Sequence, residues 1–204
     1  MKLHKYKDHE EYISIQEAGN IKKLDCVFVN EKVVKTLSDY IKKNIKNPSF
    51  GICHGTRRGV EQKLFMEKTG AKVIGTEISS TASQFPDTIQ WDFHDIKDEW
   101  INNVDFIYSN SIDHSYDPEY ALSQWLKCLK DNGLCFIEYT YFNKQFTKLD
   151  CFSSSSNEMK ELIEKVGYVS DKIIIKGIHQ ASPTRRARKI KYIIFVIKKK
   201  VDNE

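Results

Sequence analysis

From residue 50 onward the chain alternates between two hydrophobic periods, and this alternation restricts its fold more than any other feature. Apolar runs of strand length lie at 50–53, 71–78, 88–91, 104–109 and 134–141. Between them, helical patterns run over 60–68, a short piece at 80–83, 97–102 and 118–130. Strands and helices in succession build a parallel sheet covered on both faces, because each parallel connection needs a crossover. The last two strand patterns, 172–176 and 190–198, have no helix between them and so pair antiparallel. The predicted class is α/β: a doubly wound, mostly parallel seven-stranded sheet with a C-terminal antiparallel strand pair and helices on both faces.

Local signals set the helix ends. Asn30 caps a helix over 31–44 with Val33, Leu37 and Ile41 on one face. Asp117 and Pro118 start the helix at 118, Leu122, Trp125, Leu126 and Leu129 share its face, and Asn132-Gly133 supplies its stop. Ser155 and Glu158 form a capping box for a helix over 158–166, which Gly167 terminates. The basic connection 177–189 reads as a long flexible loop. Residues 1–30, polar with short apolar pieces at Tyr12-Ile13 and Val27-Phe28-Val29, read as an N-terminal extension, and 31–204 as the main domain.

Composition excludes several classes. With 32 basic and 28 acidic residues the net charge is +4, a mixed surface that demands neither a nucleic-acid nor an anionic-membrane partner. No apolar run reaches the roughly 18 residues needed to span a bilayer, and residues 1–5 lead into no signal-peptide core. The five cysteines include no CxxC pair, and Cys53 and Cys135 sit in strand patterns as small hydrophobes. A reducing, cytoplasmic setting is expected.

The run Phe50-Gly51-Ile52-Cys53 breaks at His54-Gly55-Thr56-Arg57-Arg58-Gly59, a helix follows, and the next strand ends on Glu77. Strand, glycine turn, helix, strand and acid together can hold a nucleotide: backbone N–H groups approach the ligand and the acid accepts from ribose hydroxyls. With these elements in order, residues 30–199 resemble the class I S-adenosylmethionine-dependent methyltransferases. That family usually writes an acid and then G-x-G-x-G at this turn. Here Gly51 stands in the acid's place, Cys53 replaces the first glycine, Gly55 keeps the second and Arg57 replaces the third.

The resemblance implies S-adenosylmethionine as cofactor and a set of residues around it. His54, Gly55, Thr56 and Arg57 would face it, with His54 and Arg57 as substitute donors to its carboxylate. Glu77 would hold the ribose and Ile78 pack on adenine; a carboxylate there repels a 2′-phosphate, which disfavours NADP. Asp92 would accept from the adenine amine with Phe93 beside the ring. Ser109, Asn110 and Ser111 end the strand that the family places beside the methyl group. A subgroup acting on small molecules continues with Glu-His and a short path to Pro. Asp113-His114-Ser115-Tyr116-Asp117-Pro118 resembles that segment, with Asp in place of Glu. His114 is the candidate general base, or else a histidine that caps the next helix or bonds a backbone carbonyl. No metal site is expected.

Because a sulfonium is a strong electrophile, in-line positioning supplies most of the rate, so the sequence indicates the cofactor and leaves the acceptor open. A small polar metabolite, such as a sugar or nucleotide sugar, is the leading expectation. Tyr139 or Tyr141 could line its pocket, and Arg185, Arg186 and Arg188 suggest contact with a phosphate. RNA is an alternative acceptor, although the chain lacks the N/D-P-P-[YFW] tetrad used on base amines. A catalytically silent Rossmann-like module, with Arg57 filling the cofactor pocket, is another.

Overall fold

The computed structural model describes residues 1–140 and 146–199. Seven strands form the main sheet: β2 (Phe50–His54), β3 (Lys72–Glu77), β4 (Thr88–Gln90), β5 (Val104–Ser109), β6 (Leu129–Thr140), β8 (Tyr168–His179) and β9 (Arg188–Lys199). Their order is β4-β3-β2-β5-β6-β9-β8; the first five run parallel, and β9 lies antiparallel between β6 and β8. A two-stranded sheet pairs β1 (Lys2–Leu3) with β7 (Phe152–Ser153). The expected doubly wound sheet with its closing hairpin is present.

Strand alternation divides the core into two layers. Ile52, Ile107, Ile137 and Phe195 point to one face, where they meet α4 (Pro118–Cys128) and α5 (Ser156–Lys165). Their neighbours Cys53, Tyr108, Phe136 and Ile194 point to the other, against α2 (Glu31–Asn44) and α3 (Val60–Thr69). Asn30 caps α2 by accepting from the Lys32 N–H, and Ser155 and Glu158 close the capping box of α5. All five cysteines are free and buried. Among the described residues no helix is long and apolar enough to cross a membrane.

Several boundaries differ from expectation. The pattern at 97–102 yields a single 3-10 turn, Asp98–Trp100, because Asn102 turns left-handed (φ +53°) and the Asn102 and Asn103 N–H groups donate to the last carbonyls of α4. Helix α4 stops at Cys128, and Asn132-Gly133 lies inside β6 instead of ending the helix. Leu129 pairs opposite Val104 and Leu134 opposite Phe106, so the intervening residues of β6 bulge out of register. Both strands of the last hairpin are longer than their apolar runs, which leaves only 180–187 as the connecting turn. The expected 177–189 loop therefore loses both of its ends to the strands. Residues 1–30 include a helix, α1 (His9–Lys22), laid over the carboxyl ends of the parallel strands.

Candidate active site

The turn after β2 is built on left-handed backbone. Gly55 (φ +74°), Arg57 (φ +47°) and Gly59 (φ +73°) reverse the chain, and the Gly55 and Thr56 N–H groups both donate to the Thr76 carbonyl. A Cβ on Gly55 would lie 2.6 Å from Ser111 Cβ, so glycine is required by conformation and by space. The reversal aims the Arg57 N–H at Glu77 Oε2 (3.0 Å), while the Ser79 N–H reaches Oε1 (3.0 Å). Burial pushes the Glu77 carboxyl above its ordinary range, against these two donors and the Arg57 guanidinium. At Gly51 the Phe106 ring stands 2.4 Å from where a Cβ would be, so an acid has no room there.

Two cavities adjoin this turn. The smaller, about 50 Å³, lies between Glu77, Ile78, Asp92 and Phe93 on the strand side and Tyr12, Gln16, Gly19 and Asn20 of α1 on the other. Helix α1 is pinned across it by hydrogen bonds. His9 Nε2 meets Asp92 Oδ2 (2.9 Å), Gln16 Oε1 meets His114 Nδ1 (3.0 Å), and Thr81 donates to Asn20 Oδ1 (3.1 Å). Tyr12 is buried edge-on to His94 and Tyr116. Burial alone would raise Asp92, but hydrogen bonds from His94 and His9 hold its carboxyl below the usual range.

The larger cavity, about 460 Å³, has a basic rim of Lys23, Arg58, Arg185, Arg186 and Arg188. Deeper in its lining stand two buried acids, Glu61 from the first turn of α3 and Glu138 from β6. Burial pushes both up to about 7. The two cavities share Gly55, Arg57, Ser111 and His114. They therefore meet at the carboxyl ends of β2 and β5, where open α/β sheets bind ligands.

No protein-family model and no curated protein sequence matches the chain. Solved structures do. A 1,6-didemethyltoxoflavin-N1-methyltransferase from Burkholderia thailandensis, with bound 1,6-didemethyltoxoflavin and S-adenosylhomocysteine, superposes with a TM-score of 0.67 at 11% identity, over 97% of this chain and 93% of that one. A geranyl diphosphate C-methyltransferase from Streptomyces coelicolor gives 0.61 at 12% identity, over 81% and 79% of the two chains. The fold is that of the class I S-adenosylmethionine-dependent methyltransferases. The [4+2]-cyclase SpnF is also similar, with a TM-score of 0.62 at 12% identity over 82% of this chain and 81% of that one, so chemistry must be argued from the site.

Within this methyltransferase fold, Gly55, Arg57, Glu77, Ile78, Asp92, Phe93, Ser111 and His114 line the small cavity, and Thr56 and Asn110 line the large one. His54 reaches neither. The strand pleat turns it with Ile52 into the α4 layer, where it stacks on Trp125 (4.6 Å), its Nδ1 bonds Thr76 (2.9 Å), and burial drives it down to about 3. It is a neutral core residue and not the carboxylate donor expected. Ser109 is likewise internal, donating to the His54 carbonyl and accepting from the Ser111 N–H. Tyr139 is buried with its hydroxyl on the Ser154 carbonyl, away from both cavities, and Tyr141 lies outside the described residues. Arg57 does not fill the small cavity: its guanidinium lies over the Phe28 ring (5.0 Å), in the wall of the large one.

The sequence reading missed Glu61, Glu138 and the face of α1. An acid in a helix's first turn is ordinary, as Glu61 is in α3, and gave no signal. Glu138 could have been found, because it is a carboxylate inside a strand stretch, 133–139, that is buried on both faces.

Proposed function

We propose that the chain is an S-adenosylmethionine-dependent methyltransferase acting on a small molecule that carries an anionic group. The observation that carries this reading is the pair of cavities meeting at Gly55, Arg57, Ser111 and His114, one lined for a nucleoside and the other of acceptor size. Glu77 would accept from the ribose hydroxyls, Ile78 and Phe93 would flank adenine, and Asp92 would take its amine. Gly55, Thr56, Arg57, Asn110 and Ser111 would surround the amino-acid end. When bound, the cofactor supplies an electrophilic methyl group on a sulfonium sulfur.

The donors and acceptors suit this cofactor, but the small cavity is too tight for a nucleoside while Tyr12 and Gln16 fill it. His9 also occupies the Asp92 oxygen that the adenine amine would use. Binding therefore requires α1 to draw back from the strand ends. His114 Nδ1 faces two oxygens, those of Gln16 and Leu149, and the Leu149 carbonyl stays in place when α1 draws back, so the proton sits on Nδ1 and Nε2, 3.8 Å from Asp150 Oδ1, is the nitrogen left for a nucleophile. Nε2 then serves as general base for an amine or hydroxyl nucleophile. Arg185 and Arg186 on the rim would hold the acceptor's anionic group, in keeping with a phosphate-bearing metabolite or a nucleotide sugar.

Isothermal titration with S-adenosylhomocysteine tests this reading. Micromolar binding is expected, weakened by about tenfold or more in Glu77→Ala, which loses a charge-assisted contact of about 1.5–3 kcal/mol. Absence of binding by the wild type would sink it.

A further inference from the structure

The large cavity carries opposite charge at its two ends. Arg185 and Arg186 stand exposed at the mouth, while Glu61 and Glu138 are 6% and 3% exposed in its lining. Both acids are placed by regular structure. The first turn of α3 directs Glu61 toward the sheet, and the pleat of β6 sends Glu138 to the same face as Phe136. The Tyr108 hydroxyl donates to Glu138 Oε2 at 2.7 Å, and among the described residues Oε1 takes no hydrogen bond. Arg57 faces Glu61 and Glu77, whereas Glu138 has no cationic partner among the described residues.

A buried carboxylate without a counter-charge is costly, and a ligand cation removes that cost. Building on the methyltransferase reading above, we propose that Glu61 and Glu138 recognise a cationic nitrogen of the acceptor, which is thus a small zwitterion with an amine at one end and a phosphate at the other. A sugar hydroxyl would leave Glu138 without a counter-charge, so this narrows the acceptor to an amine-bearing metabolite. Because both carboxyls sit near 7, an incoming ammonium selects their ionised form, and binding at neutral pH releases protons. The groups that face the pair are Arg57, Asn110 and Glu77 beside Glu61, and Tyr108 and Tyr192 beside Glu138.

The test is isothermal titration of the full chain with 2-aminoethyl phosphate and with ethyl phosphate, which lacks the nitrogen. Each titration is run with and without S-adenosylhomocysteine. The aminoethyl compound is expected to bind about tenfold tighter or better, with proton release seen as a dependence of the heat on buffer ionisation enthalpy. Glu138→Gln should reduce both the preference and the proton release, Glu61 keeping its share, while leaving affinity for ethyl phosphate and S-adenosylhomocysteine unchanged. Arg186→Ala, an exposed change that leaves the core intact, should weaken both phosphates by the same factor. Equal affinity for the two phosphates, or binding of neither, overturns the proposal. So does a Glu138→Gln variant that loses S-adenosylhomocysteine rather than the amine preference. A wild type that prefers the amine yet binds no S-adenosylhomocysteine would retain the amine end and refute the methyltransferase reading.

Discussion

Gly55 and Gly70 adopt nearly the same backbone, φ +74° and +76°, in different surroundings. Nothing stands within 4 Å of a Cβ at Gly70, whereas one at Gly55 runs into Ser111. Gly70→Ala should therefore cost only the left-handed strain, about 1–2 kcal/mol. Gly55→Ala should cost that and a further 1–3 kcal/mol or so of overpacking, visible as a lower urea midpoint. The same residue-scale view explains the degenerate turn. Phe106 excludes an acid at 51, Cys53 is buried where a glycine is usual, and Arg57 accepts the conformation a third glycine would have eased. Each departure is legible only beside its spatial neighbour, which the sequence does not reveal. His54 misled for a related reason: proximity to the turn outweighed strand parity in the sequence reading.

Among the elements, α2 and β5 match their expected ends because cap, periodicity and burial agree, as does the Ser155–Glu158 box of α5. Helix α1 went unread because its buried positions, Tyr12, Gln16 and Asn20, follow helical spacing with polar side chains. Hydropathy cannot register a face that docks through hydrogen bonds. That docking sets a prediction. If withdrawal of α1 admits the cofactor, Tyr12→Ala should speed association of S-adenosylhomocysteine by at least about a hundredfold in stopped flow, because a buried aromatic truncation removes some 3–5 kcal/mol of packing that holds α1 down. An unchanged association rate would mean that α1 is no barrier. The ends of α4, β8 and β9 were misjudged because sheet pairing extends a strand past its apolar run and can consume an Asn-Gly that elsewhere would stop a helix.

At the scale of the molecule, two buried carboxyls with raised pKa values impose a slope on stability. Their protonated forms are favoured by folding. The stability they contribute is thus full at acid pH and is lost as pH rises from the ordinary carboxylate range to about 7. Each accounts for on the order of 3 kcal/mol. Glu138→Gln, which keeps an acceptor for the Tyr108 hydroxyl, should remove its share of that fall and unfold at a higher urea concentration than wild type at neutral pH. A variant that loses stability equally at every pH would contradict this. The mostly parallel sheet, its closing antiparallel pair and the helices on both faces were readable from alternation, whereas the strand order and the chemistry at the strand ends depend on which elements the crossovers bring together.

The twelve paired positions that join β8 to β9 hold the sheet's last ribbon in a single register, and the arginine-bearing turn 180–187 is only its tip. That tip touches the rest of the chain through few bonds, among them Val27 N–H to the Ala181 carbonyl. It is a replaceable cartridge. Descendants of this chain could lengthen, shorten or recharge it to greet a different metabolite, while Glu77 and Asp92, which line the small cavity and not the large one, would keep their surroundings.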